Sequence, residues 1–218
     1  MKTSTALRHK CDDTKHTNFD GLHANKFKSL KNIALSLVVL FLGMSFQNFT
    51  LLNKNTVEVK TSSIQWKAKK VVGSHEGDIS LQSGELIYED GNLVGGNFIM
   101  DMTSLICTDL SGEYKGKLEG HLKSDDFFSV NTYSTAGLVI TNVEKVNSKK
   151  HNITADLTIK GITKSITFEA NSEKNKFASN IQINRTQFDV KYGSGSFFDG
   201  LGDNMIDDEF ELTVILEL

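Results

Sequence analysis

From residue 57 to the end of the chain, apolar and polar positions alternate in short runs separated by clusters of Gly, Asn and Asp. A period of two places successive side chains on opposite faces, so each run predicts a strand with one apolar and one wet face. In Ser63-Ile64-Gln65-Trp66-Lys67-Ala68-Lys69, Ile64, Trp66 and Ala68 share one face while Gln65, Lys67 and Lys69 share the other. The same pattern predicts strands over 75–81, 84–89, 92–102, 135–146, 150–160, 163–172, 176–184 and 207–218. Asp90-Gly91 tolerates positive φ at both positions and predicts a tight hairpin between the third and fourth runs. Hairpin-length gaps favour an all-β sandwich or an up-and-down barrel, and a barrel removes the exposed edges by joining first strand to last. The chain has no proline, so no strand is barred from central pairing.

The alternation fails over 104–131, where Leu110, Tyr114, Lys117-Leu118 and Leu122 recur at three- and four-residue spacing. Short helices are predicted here, lying across one end of the barrel. Ser124 ahead of Asp125-Asp126-Phe127-Phe128 has the form of an N-cap with an acidic first turn.

A different pattern precedes the strands. Ile33 to Phe46 is a fourteen-residue stretch without charge, following Lys26, Lys28 and Lys31. That is the anatomy of a signal peptide, with a membrane anchor as the rival reading because no charge occurs between Asn32 and Asn53. The chain thus divides into a basic extension (1–31), an apolar helix serving as signal or anchor (32–47), a linker (48–56) and the barrel (57–218). Export to the periplasm or outside the cell is the expectation, with membrane contact, if retained, through residues 32–53.

Charge follows this division. The net −3 separates into seven Lys/Arg against three Asp/Glu in residues 1–31 and 17 against 24 in residues 32–218. An acidic body lacks the basic footprint that attracts phosphate backbones, which excludes nucleic acid as the expected partner. Cys11 and Cys107 fall on opposite sides of the apolar segment, so no structural disulfide is expected and Cys107 reads as a small, partly buried residue.

The inward face predicted by the alternation comprises Ile64, Trp66, Ile79, Phe98, Met100, Leu138, Ile140, Ile153, Leu157, Ile166, Phe168, Phe177, Ile181, Phe210, Leu212 and Val214. A barrel of about eight strands is either filled by such side chains or holds one small ligand. A cavity walled by this set would be dry and would select hydrocarbon, since a sugar or nucleotide site needs convergent polar groups. His75 and His121 lack metal-ligand spacing to other His or Cys, and hydrogen-bonded roles at a barrel end, or contact with a ligand head group, are the readings left to them. No metal and no cofactor is expected. Ser194 and Ser196 lack the strand–turn–helix setting of a nucleophile elbow and read as a flexible loop, with Phe197 and Phe198 either tucked inward or forming a rim. Arg185 interrupts an uncharged stretch and reads as a surface ion pair or as a contact for a ligand oxygen. The acidic run from Asp203 to Glu211 reads as a solvated turn. No catalytic residue emerges.

Several ordered motifs bear on that choice: Gly73-Ser74-His75-Glu76-Gly77, Gly95-Gly96-Asn97-Phe98 with Asp101-Met102-Thr103-Ser104, and the run Leu118 to Phe128. Leu157-Thr158-Ile159-Lys160-Gly161-Ile162-Thr163-Lys164, Ile183 to Phe188 and Leu201-Gly202-Asp203-Asn204 follow. With these, residues 57–218 resemble the YceI-like family of lipid- or polyisoprenoid-binding proteins. One departure is Tyr133-Ser134-Thr135-Ala136, where the family often carries Tyr-Pro. The resemblance implies an eight-stranded, lipocalin-like antiparallel barrel with a long cavity, a short helical segment near His121, and export. It also implies non-enzymatic binding of a polyisoprenoid or isoprenoid quinone, with an envelope interaction module built on a filled barrel as the alternative and a lipid-modifying enzyme behind both.

Overall fold

The computed structural model describes residues 53–218. The basic extension, the apolar segment and most of the predicted linker lie outside the described residues. Among the described residues no helix is long and apolar enough to cross a membrane.

Nine strands form one antiparallel sheet: β1 (Lys54–Glu58), β2 (Thr61–Lys70), β3 (Ser74–Glu89), β4 (Asn92–Cys107), β5 (Thr135–Lys145), β6 (Lys150–Ile159), β7 (Ile162–Glu173), β8 (Lys176–Asn184) and β9 (Ile206–Glu217). The order β3-β2-β9-β8-β7-β6-β5-β4 returns from β4 to β3, closing an eight-stranded barrel. β1 is a short extra strand on the half of β3 that β2 leaves free. Between β1 and β2 the chain changes partner: the Val59 amide donates to Gly84 and the Lys60 amide to Glu217.

Local sequence accounts for most of this. Asp90-Gly91 and Lys160-Gly161 both have positive φ at both residues and turn β3 into β4 and β6 into β7 with no further residue. Phe210, Leu212, Val214 and Leu216 of β9 face the same side as Ile64 and Trp66 of β2, as the register Ile64 to Val214 and Trp66 to Leu212 requires.

Four boundaries differ from the sequence-based expectation. The runs 75–81 and 84–89 are one strand, because register shifts at Asp78/Ser80 and Leu81/Ser83 absorb the Gln82-Ser83-Gly84 cluster as bulges. The linker ends early, since Lys54–Glu58 forms β1, a strand too short to show a period. β4 continues to Cys107. One helix, α1 (Gly112–Lys123), replaces several, and Ser124 ends it instead of starting another: its amide and hydroxyl both bond to the His121 carbonyl. The Asp125–Phe128 run that resembled a first turn is a loop folding Phe127 and Phe128 into the core.

The two ends of the barrel are built differently. One consists of hairpin turns. The other is capped by α1, the loop after it, and the segment 185–205, which includes the 3-10 turns Arg185–Phe188 and Gly202–Asn204.

Candidate ligand cavity

A cavity of about 180 Å³ lies within the barrel. Every one of the inward residues predicted from the alternation, from Ile64 on β2 to Val214 on β9, lines it. Ser179, Arg185 and Asp207 are the only non-apolar side chains in the lining. Packed interiors leave few voids larger than a water, and apolar cavities of about 150 Å³ lined by Leu, Ile and Phe stay dry and take up hydrocarbon. The barrel is therefore not filled by its own side chains.

The alternation could not supply the lining from the cap. Leu122 of α1 and Phe127 and Phe128 of the following loop close one end, with Leu105 of β4 and Ile206 of β9 beside them. Leu105, Leu122, Phe127 and Phe128 come from the segment 104–131, which lacks a two-residue period, and no spacing in the sequence aims them at the barrel.

Trp66 illustrates how the wall is shaped. Its indole N–H donates to the Ile106 carbonyl at 3.0 Å across β3. The register partner between them is Gly77, where a Cβ would sit 1.8 Å from the Ile106 oxygen and 2.8 Å from the indole ring. Glycine is required there by the close approach of two backbones and a ring.

Arg185 is the polar centre of the cap, and the surface ion-pair reading is corrected. Its side chain is 2% exposed. Nε donates to Asp207 O at 2.9 Å, Nη1 to Val190 O at 2.8 Å and Tyr192 O at 2.9 Å, and Nη2 to Ile206 O at 3.0 Å. Burial pulls its pKa below the usual guanidinium value, opposed by the nearby Asp208 and Asp207 carboxylates. Its face also lies against the Phe127 ring, 5.6 Å from the centroid. With its donors committed to backbone carbonyls, Arg185 acts as a clasp joining the end of β8 to the start of β9. The main chain of that region offered no spacing that foretold it, because the partners are carbonyls.

The two histidines are not brought together into one site. His75 Nδ1 lies 2.9 Å from Asp109 Oδ2, pinning the start of β3 to the chain beyond β4. Burial raises the pKa of Asp109, but hydrogen bonds from the Cys107 thiol, the Glu76 amide and His75 outweigh it and hold the group at about 2. Cys107 is wholly buried, and burial followed by its bond to Asp109 pushes the thiol pKa up, the opposite of an activated nucleophile. His121 packs edge-on against Tyr192 and Phe127, at 4.4 and 5.7 Å between centroids.

Ser194 is fully buried and its hydroxyl accepts from the Ser196 amide, while the Ser196 hydroxyl donates to Asp208. The loop read as flexible is tied down by these bonds, which pull in a carboxylate of the run read as a solvated turn. Phe197 and Phe198, about half exposed at 50% and 51%, stand outside the lining and are not tucked inward. Among the described residues no cluster of His, Cys, Asp or Glu is arranged to hold a metal ion.

Comparison with known proteins agrees with this architecture. A UPF0312 protein of Vibrio parahaemolyticus is 29% identical over 137 residues, covering 57% of this chain and 69% of its own length. A UPF0312 protein of Pseudomonas putida is 28% identical over 114 residues, 44% of this chain and 59% of its own. Among solved structures, BcnA of Burkholderia cenocepacia superposes with a TM-score of 0.57 at 22% identity, covering 71% of this chain and 94% of that one. A polyisoprenoid binding domain from Saccharophagus degradans, implicated in plant cell wall breakdown, superposes with a TM-score of 0.51 at 12% identity, covering 76% and 97%. These two likenesses are of fold. The sequence profile of the YceI-like domain matches residues 56–218, all but the start of β1 in the barrel region, and the chain belongs to that family.

Proposed function

We propose that this protein binds and carries a long apolar lipid, a polyisoprenoid or isoprenoid quinone, inside the barrel without chemically altering it, and that it does so after export to the periplasm or the cell exterior. The observation that carries the reading is the cavity wall: a continuous apolar lining drawn from every strand of the barrel ring and closed by aromatic side chains at the cap. Each CH₂ withdrawn from water into such a site contributes about 0.8 kcal/mol, so a dozen or so carbons offset the usual cost of association. The polyisoprenoid-binding neighbour of like fold supports the choice of lipid class. The N-terminal apolar segment following three lysines supports export.

The test is mass spectrometry of lipids extracted from the protein purified from its native envelope, beside an Ala136→Phe variant that narrows the cavity. The expected result is a near-stoichiometric isoprenoid lipid in the parent and a several-fold loss in the variant at a comparable unfolding midpoint. Parent protein that emerges free of lipid would sink the carrier reading and leave the envelope interaction module as the better one.

A further inference from the structure

The barrel wall is not uniformly zipped. The β6–β7 ladder runs through ten pairs and the β8–β9 ladder through nine, whereas β7 and β8 pair only from Ala170–Ser179 to Glu173–Lys176. Continued at the same register, the ladder would set Phe168 against Ile181 and Ile166 against Ile183. Instead the strands part, and Ile162–Glu169 and Asn180–Asn184 each pair on one side only. The turn Arg185–Phe188 lies against β7 at the base of this opening and leaves the stretch toward Ala170–Ser179 without a covering segment among the described residues. Two other interruptions of the wall are covered. α1 lies against β4 beyond its last pair with β5, and the chain at Val59–Lys60 crosses between β2 and β3.

The side chains at the parted seam show that it reaches the cavity. Ile166 and Phe168 on one bank and Ile181 and Ile183 on the other all line it, as do Ala178 and Ser179 at the apex. Lys164 is the telling residue. Opposite residues of an antiparallel pair project from the same face, and Lys164 is the partner of Leu157, which lines the cavity and is 3% exposed. Yet Lys164 is exposed and outside the lining. A residue on the inward face meets water here because the neighbouring strand is not beside it.

The outer lips are mainly uncharged and polar: Thr163, Ser165 and Thr167 stand exposed on β7, Asn180 and Gln182 on β8, with Glu169 at the apex paired to Lys150. Unpaired strand edges must be hydrated, so the slot is wet outside and apolar within. Both ends of the slot are fixed. At the apex the Ser179 hydroxyl donates to the Glu169 carbonyl at 2.6 Å, and at the base Lys160 Nζ donates to Asp189 O at 3.1 Å beside the turn Arg185–Phe188.

We propose that lipid enters and leaves the barrel sideways through the seam between β7 and β8, its hydrocarbon passing between Ile166 and Phe168 on one bank and Ile181 and Ile183 on the other. This rests on the lipid-binding reading above. A lateral slot lets a chain slide in along its length while its polar group stays among the hydroxyl and amide lips, so the head group is never drawn through the dry interior.

Stapling the slot tests this. In the full chain carrying Cys11→Ser, Thr167→Cys and Gln182→Cys are bridged by a bis-maleimide containing a reducible disulfide; the buried Cys107 stays in place. Retinol, a fluorescent isoprenoid, is supplied from phosphatidylcholine vesicles, and uptake is followed by energy transfer from Trp66, the sole tryptophan and a cavity residue. The expected result is a fall of about tenfold or more in uptake rate with the final extent unchanged, reversed when the linker is reduced, as gating of an entry path requires. A matching staple across the intact β5–β6 ladder, Glu144→Cys with Asn152→Cys, leaves the rate unchanged. A stapled seam that fills within about twofold of the open one, or equal slowing by both staples, overturns the lateral entrance while leaving lipid binding intact. No uptake by the unstapled chain overturns the binding reading and the entrance with it.

Discussion

The hairpin end and the capped end of the barrel are held by different means. At the hairpin end, strands are joined by turns such as Asp90-Gly91, and charged side chains pair across the surface, as Lys149 does with Glu173 and Lys150 with Glu169. Many small contributions are spread over the exposed surface. At the capped end, single side chains bond to groups of other segments, mostly of the backbone: Arg185 to the carbonyls of Val190, Tyr192, Ile206 and Asp207, Asp109 to His75 and the Glu76 amide, Trp66 to Ile106. The lesson is that a barrel closed by hairpins needs no special residue at a turn end. An end closed by folded-over chain must satisfy the backbone groups that it buries, and it concentrates that task on a few side chains.

The contrast is broken most severely at Arg185. Arg185→Leu leaves four carbonyls, one buried and three half-buried, without their donor and is expected to cost about 3 kcal/mol, read as a lowered urea midpoint at unchanged slope. A loss below about 1 kcal/mol would mean that the cap does not depend on the clasp.

A smaller effect is expected at Asp109, where the sign can be checked by pH. Its folded pKa, about 2, lies below the ordinary carboxylate value, so the stabilisation is complete above about pH 4 and is lost as pH falls through about 2. The carboxylate is about a quarter exposed, which discounts the contribution to about 1–2 kcal/mol. Urea midpoints of Asp109→Asn measured from pH 2 to 7 are expected to lie below the parent at neutral pH and converge with it at the acid end. A constant difference across that range would remove the ionised carboxylate from the account.

The smallest effect belongs to the hairpin end. Glu173→Gln deletes the ion pair with Lys149, whose two side chains are 73% and 69% exposed. No measurable change in midpoint is expected, because exposed pairs gain little against screening and side-chain entropy. A drop as large as that of Asp109→Asn would erase the distinction between the ends.

How much was legible in the sequence follows the same division. The inward residues singled out from the alternation, from Ile64 through Val214, all line the cavity, because in a closed barrel the period of two maps directly onto inside and outside. Leu81, Leu86, Leu93, Ile159, Ile183 and Leu216 line it too and were not singled out. β1 and the join across Gln82-Ser83-Gly84 were not legible, since five residues are too few to show a period and a bulge looks like a turn until its partner strand is known. Ser124 was misplaced at the start of a helix because a serine before two aspartates has the same local form whether or not a helix follows. The role of Arg185 was hidden for another reason: a side chain that serves backbone carbonyls leaves no complementary residue in the sequence to betray it.

By itself, then, the sequence determined the all-β class, the identity of the inward residues, the hairpin at Asp90-Gly91 and the apolar character of the interior, since each depends only on the order of neighbouring residues. Tertiary structure alone decided that the interior remains open, that the cap is drawn from Leu122, Phe127 and Phe128, and that β7 and β8 part below Ala170–Ser179. Those outcomes depend on how the strands stagger around a closed ring and on which long-range hydrogen bonds hold the covering segments, and neither leaves a periodic trace along the chain.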